Sequence, residues 1–250
     1  MNTKTLSNRA LGVIDQCKHF KLGSAVCSIP YWNNKVTRTR AALRVRVGKG
    51  SPRDIFEEAQ NLAVKNHVPI ESLSNEMLKK MLVDENIGID CSGFAYYLLN
   101  AESEEIGNGS IDKSMHFTNC RGIIGKIRAH FRPVENCSVA TLADDKNSRV
   151  VPLKETQPGD IVTMLAGDER DHVLTIYRVD YQNFTPIEIH YVHATAYPED
   201  GLYGSGVKEG MIEILDPEKS ILNQRWLGDN PRIFDRAKNS KTEIRRLRWF

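Results

Sequence analysis

A thiol that attacks a carbonyl carbon needs help losing its proton, and Cys91 sits where a chain can supply it. The stretch Ile89-Asp90-Cys91-Ser92-Gly93-Phe94-Ala95-Tyr96-Tyr97-Leu98-Leu99 opens on small polar residues and continues as an apolar face. Phe94, Ala95, Leu98 and Leu99 follow the spacing of a helix packed on one side. Asp90 is a good N-cap, which puts Cys91 at the first helical position. Backbone N–H groups there lack intrahelical partners, and the helix dipole favours negative charge. The expectation is a thiol with a lowered pKa, poised as a nucleophile. A buried cysteine that merely starts a core helix is the plainer alternative.

A nucleophile of this kind also needs a base and a group that orients the base. His172 starts the apolar run His172-Val173-Leu174-Thr175-Ile176-Tyr177 and shares a strand face with Leu174 and Ile176. That face is expected to turn toward the helix carrying Cys91. His193 shares a face with Ile187, Ile189 and Tyr191, whereas His190 lies an odd number of residues away and points oppositely. Alternation thus selects His193 over His190. Zinc is disfavoured at Cys91, His172 and His193, since no fourth ligand is apparent and the spacing matches no common site. No cofactor is indicated.

Four short motifs occur in a telling order: Asp90-Cys91-Ser92-Gly93, then Pro158-Gly159-Asp160, His172-Val173 and His193-Ala194. Together they resemble the NlpC family of cell-wall cysteine peptidases, over roughly residues 90 to 195. The resemblance implies a papain-like α+β fold, with helices on an antiparallel sheet, and a Cys91-His172-His193 triad. In that family a Pro-Tyr pair before the nucleophile places its tyrosine in the active site, and Pro30-Tyr31 looks like that pair. Sixty residues separate Tyr31 from Cys91, more than is usual there, so residues 33–88 read as an inserted helical and basic subdomain. The catalytic core is then 89–250, within a single NlpC-like domain spanning 1–250. Position 174 is usually small in the family and is Leu174 here.

The chemistry follows from these assignments. Cys91 attacks a carbonyl carbon, and His172 removes the thiol proton and returns it to the leaving amine. His193 fixes the tautomer of His172. The Cys91 N–H, helped by Tyr31, stabilises the oxyanion. Asp90 and Ser92 either cap the helix and satisfy backbone donors or bind a substrate amine. By resemblance the substrate is a peptidoglycan stem peptide, cut at the bond following D-glutamate. The same residues also suit acyl transfer or a non-wall amidase.

Several elements must position these groups. Residues 7–20 read as a short helix. Thr37, Thr39, Ala41, Leu43, Val45 and Val47 alternate with Arg38, Arg40, Arg44 and Arg46, the pattern of a strand with one basic face. Ser51-Pro52-Arg53-Asp54 is a helix start, and a second helix follows over 74–84. A short helix is expected over 123–131. From Ile161 onward strands dominate, at 161–165, 172–179, 187–194, 211–215 and 243–249. Residues 201–210, with four glycines, read as a flexible loop beside the site.

Composition bounds the rest. The chain has 250 residues, 40% hydrophobic and 26% charged, which suits a water-exposed globular protein. No apolar run is long enough to span a membrane, and no secretory signal is visible. The five cysteines are odd in number and lack any Cys-x-x-Cys, which points to a reducing compartment. A cytoplasmic protein is therefore expected as synthesised, with delivery to the cell wall by another route still open. Net charge is only +2, yet residues 1–50 carry ten Lys/Arg against one acid. A face of Arg38, Arg40, Arg44 and Arg46 could meet a polyanion, and a catalytically silent polyanion-binding protein is the rival reading. An edge strand guarded by charge is the bland version of the same pattern.

Overall fold

The computed structural model describes residues 1–33, 44–118, 122–167 and 171–250, apart from the side chains at 124, 126 and 128. Its architecture is α+β. Strand β1 (Asn2–Thr5) is followed by helix α1 (Asn8–Lys18) and a small hairpin, β2 (Phe20–Leu22) and β3 (Ala25–Cys27). Helices α2 (Pro52–Lys65), α3 (Asn75–Asp84) and α4 (Cys91–Glu105) come next, then three shorter ones, α5 (Gly122–Phe131), α6 (Pro133–Asn136) and α7 (Val139–Leu142). The remainder is mostly sheet: β4 (Ser148–Val150), β5 (Ile161–Leu165), β6 (His172–Gln182), β7 (Thr185–Thr195), β8 (Gly206–Glu213) and β9 (Arg225–Leu227). Helix α8 (Arg232–Lys238) and strand β10 (Lys241–Leu247) close the chain.

Local chemistry explains the helix starts. Ser7 caps α1 by accepting from the Ala10 N–H. At α2, Ser51 and Asp54 exchange side-chain and backbone hydrogen bonds in a full capping box, with Pro52 at the first position. Ser74 caps α3 and Asp90 caps α4. Apolar spacing then buries Ile55, Ala59 and Leu62 of α2, Leu78 and Leu82 of α3, and Phe94 and Leu98 of α4 against Ile14 of α1 in one cluster. Phe94, Leu98 and Leu99 are fully buried, each contributing about 1.5–3 kcal/mol over an exposed state. The helices before the nucleophile thus share a core with α4.

The main sheet is antiparallel throughout, in the order β4-β10-β5-β6-β7-β8-β9. β6 is long enough to pair β5 along its first half and β1 along its second. A two-residue turn joins β6 to β7, with Asn183 and Phe184 both at positive φ (51° and 66°), as hairpin twist requires. One face of the sheet packs Ile161 and Val173 against Cys91, Ala95 and Leu99 of α4. Leu174, Ile176, Ile189 and Tyr191 pack on the other side with Ile233 and Ala237 of α8. Among the described residues no helix is long and apolar enough to cross a membrane.

Three expectations are corrected. Arg44–Val47 form a 3-10 turn instead of strand, held by the Lys49 N–H on the Arg44 carbonyl at 2.9 Å; residues 37–43 lie outside the described residues. The glycine-rich stretch is not all loop, because Gly206–Gly210 belong to β8. Leu174 and Ile176 face α8, so it is Val173 that meets the helix bearing Cys91.

Candidate active site

The amino end of α4 is held by a short ladder centred on Ile89. Its N–H donates to the Pro30 carbonyl at 2.9 Å, and its own carbonyl accepts from the Trp32 N–H at 3.2 Å. On the other side the Asp90 N–H donates to the Gly48 carbonyl at 2.8 Å. Tyr31 and Lys49 are therefore both bridged to Ile89, two residues before the nucleophile. This ladder brings Tyr31 to the site across the long stretch of intervening sequence. Gly93 permits the approach, since a Cβ there would meet the Gly48 carbonyl oxygen at 2.7 Å. Gly48 itself takes φ +75°, a conformation that favours glycine.

Asp90 and Ser92 are already engaged. Asp90 Oδ1 accepts the Gly93 N–H at 2.6 Å and the Ser92 hydroxyl at 3.1 Å. The Lys49 ammonium donates to Asp90 Oδ1 at 2.9 Å, to Ser92 Oγ at 2.7 Å and to the Cys137 carbonyl at 2.9 Å. Of the two roles open for Asp90, capping is the one observed. Any amine bound by this pair comes from the protein itself.

The histidines form a relay that ends on a carboxylate. The register that sets Thr175 opposite Val192 brings the two rings to 5.0 Å between centroids, nearly perpendicular. His172 Nε2 lies 2.7 Å from His193 Nδ1, and His193 Nε2 lies 2.8 Å from Asp229 Oδ2. An ionised carboxylate only accepts, so His193 carries its proton on Nε2 and accepts at Nδ1. His172 must then donate from Nε2, which leaves its Nδ1 lone pair free to act as a base. Asp229 is fixed in turn by the Tyr191 and Tyr197 hydroxyls, at 3.2 Å and 3.1 Å, and by the Asn230 N–H at 2.7 Å. The Cys91 sulfur takes a hydrogen bond from the backbone of Val173, the residue after His172.

Burial governs the electrostatics. Cys91 is 5% exposed, and His172 and His193 are each 1% exposed. Burial pushes the Cys91 thiol up to about 11; Asp90 adds to the rise, while Lys49, the Val173 backbone and Arg236 of α8 oppose it. Burial also holds His172 well below the usual histidine range, with His193 and Arg236 pulling the same way. His193 is lowered by burial too, against the Asp229 hydrogen bond and charge. Burial raises the Asp229 carboxyl, but its hydrogen bonds from His193, Asn230 and Tyr197 outweigh that and leave it lowered. The expected low-pKa thiolate is therefore corrected. At rest Cys91 is a neutral thiol and His172 a neutral imidazole, because removing charge from water costs more than the helix end returns.

No protein-family model, curated protein or solved structure matches this chain.

Tyr31, Asp90, Cys91 and Ser92 converge at the amino end of α4; the backbone of Val173 in β6 reaches the Cys91 sulfur, and the neighbouring His172 is paired with His193 of β7. Tyr31 is half-buried, and its hydroxyl pKa is raised by burial and by the nearby Cys91 and Asp90. Asp229 and Lys49 were not singled out in the sequence. Gly228-Asp229-Asn230-Pro231 reads as an ordinary turn, and Lys49 as the end of a basic stretch. The polyanion face fares differently. Arg44 pairs with Glu135 at 3.1 Å, and Arg46 pairs with Glu58 at 3.1 Å and Glu85 at 3.4 Å, so their charges are spent internally. Arg38 and Arg40 lie outside the described residues. Both ring nitrogens of His193 are occupied, which leaves it no lone pair for a metal. His190 points the other way, as alternation requires, and joins Asp180 and Glu188 in a group whose ligand atoms lie within 4.8 Å of one another. Asp180 there also accepts from Thr3 and Arg178, so the Arg178 guanidinium already supplies a positive charge.

Proposed function

We propose that this protein is a cysteine hydrolase of the papain-like, NlpC type that cleaves an amide bond. The observation that carries the reading is the ordered chain from Asp229 through His193 to His172, which fixes one imidazole tautomer at the residue before Val173, whose backbone reaches the Cys91 sulfur. Attack and deprotonation occur together: Cys91 bonds to the carbonyl carbon as His172 Nδ1 takes the thiol proton. The imidazolium that forms is stabilised by His193 and Asp229, much as a buried carboxylate supports the histidine of a serine triad. The tetrahedral oxyanion is received by the Cys91 N–H at the helix start, with the Tyr31 hydroxyl as a second donor. His172 then protonates the leaving amine, and a water activated by the same nitrogen releases the acyl group.

The substrate class suggested by the motif order is a peptidoglycan stem peptide, cut after D-glutamate. Acyl transfer uses the same first half-reaction and differs only in what accepts the acyl group. Purified muropeptides and acyl-thioesters, each with and without an added amine acceptor, test both. Hydrolysis is expected to release a new amine that disappears in Cys91→Ala and in His172→Ala. Capture of the acyl group by the acceptor in preference to water identifies a transferase. Failure of every donor to acylate Cys91 overturns the enzymatic reading.

A further inference from the structure

Lys49 is among the few buried charged residues, 7% exposed, and all three of its ammonium protons are placed on acceptors: Asp90, Ser92 and the Cys137 carbonyl. Its position is built, not incidental. The Tyr97 hydroxyl holds the Lys49 carbonyl at 2.7 Å, Lys49 bridges Ile89, and the missing Cβ of Gly93 leaves room for the lysine Cδ, 3.3 Å from where that Cβ would sit. The two acceptor side chains flank Cys91 in sequence on either side. A free carboxylate and hydroxyl at that spot would form a receptor for an ammonium group next to the reacting carbonyl. Here the receptor is filled from within.

We propose that Lys49 is a positioning and specificity-determining residue: its ammonium occupies the cation slot formed by Asp90 and Ser92, so the acyl donor is one with no amine beside its scissile carbonyl. The inference rests on the cysteine-hydrolase reading and narrows its substrates to donors whose neighbouring amine is acylated or absent. A second ammonium would have to compete at Asp90 Oδ1 with the Gly93 N–H, the Ser92 hydroxyl and Lys49, and meet the Lys49 charge at close range. Lys49 also offsets the Asp90 charge on the thiol, so losing it exposes Cys91 to an unbalanced carboxylate. The other ionisable groups around the thiol are Tyr31, Cys137 and Arg236.

The test uses two activated donors, glycine p-nitrophenyl ester and N-acetylglycine p-nitrophenyl ester, with acylation of Cys91 followed by mass spectrometry. Each rate is divided by that of a free model thiol. In the wild-type protein the acetylated donor is expected to react about tenfold faster, the size of one uncompensated charge contact. A wild-type preference for the free amine overturns the proposal without any variant. In Lys49→Ala the ratio is expected to fall toward one, and iodoacetamide labelling of Cys91 to slow until n-propylammonium refills the slot. Restoration by sodium chloride at equal ionic strength, or an unchanged ratio in Lys49→Ala, also overturns it. Loss of the hydrolase reading looks different: wild-type Cys91 then reacts with neither ester, and its labelling is indifferent to His172→Ala.

Discussion

His172 Nε2 and His193 Nδ1 stand 2.7 Å apart with both rings buried, so one imidazole must donate to the other. The direction of that bond is set not by either ring but by Asp229, which accepts from His193 Nε2 at 2.8 Å. A carboxylate two bonds removed from the base thereby decides where the base keeps its lone pair. In Asp229→Asn the amide can donate instead of accept, which reverses both tautomers and puts a proton on His172 Nδ1. Turnover is expected to fall by about 10²–10⁴-fold with little change in the circular dichroism spectrum. Retention of near wild-type turnover would mean the relay has no catalytic part.

The pH dependence should be unlike that of a preformed thiolate–imidazolium pair. The competent state holds neutral His172, whose pKa lies well below the ordinary 6.5, and a Cys91 thiol that stays protonated until about 11. The kcat/KM profile is expected to keep its plateau through pH 6.5 and fall only below it. Stability follows the same groups. Between the depressed folded value and 6.5 the unfolded chain binds more protons at His172 and His193, so their contribution is whole above 6.5 and drains as pH falls. Urea midpoints measured across pH 7.5 to 5 check the sign, and a midpoint that rises on acidification contradicts it.

Tyr31 is asked to do one thing, donate to an oxyanion. Tyr31→Phe keeps the ring and removes the hydroxyl. Turnover should drop about 10²-fold, as for loss of one such donor, while iodoacetamide labelling of Cys91 stays unchanged. A parallel loss of labelling would assign Tyr31 to thiol positioning instead.

Gly210 lies opposite Tyr191 in the β7–β8 register, and a Cβ there would fall on the Tyr191 hydroxyl and 2.9 Å from the Asp229 Cβ. Gly210→Ala must displace one of the groups that hold the carboxylate. It is expected to cost about 1–3 kcal/mol in denaturant unfolding, together with a turnover loss beyond what the unfolded fraction explains. Turnover that tracks only the folded population would show that Tyr191 does not steer Asp229.

Much of the helix bearing Cys91 was legible in the sequence because its determinants are short-range. An N-cap, a tight glycine and an apolar face all lie within eleven residues of Ile89. The strands from Ile161 onward were legible for the same reason, as was the placement of His193 and His190 on opposite faces of one strand. What alternation cannot tell is which layer covers a face: Leu174 and Ile176 were rightly grouped but assigned to the wrong neighbour. Arg44 to Val47 alternate like a strand, yet Arg46 is drawn to Glu58 and Glu85, and the backbone turns to follow. Asp229 and Lys49 were invisible because each acquires meaning only from a partner 36 to 41 residues away.

The depth at which the sulfur sits has a chemical consequence of its own. Peroxide oxidises the anion far more readily than the thiol, and reaches only what is accessible. A Cys91 that is 5% exposed and protonated up to about pH 11 meets neither condition at rest. Peroxide titration, with the Cys91 peptide read by mass spectrometry, is expected to show sulfenic acid forming more slowly than on a free model thiol. The burial that makes a base indispensable would then also be what keeps the catalyst from rusting between turnovers.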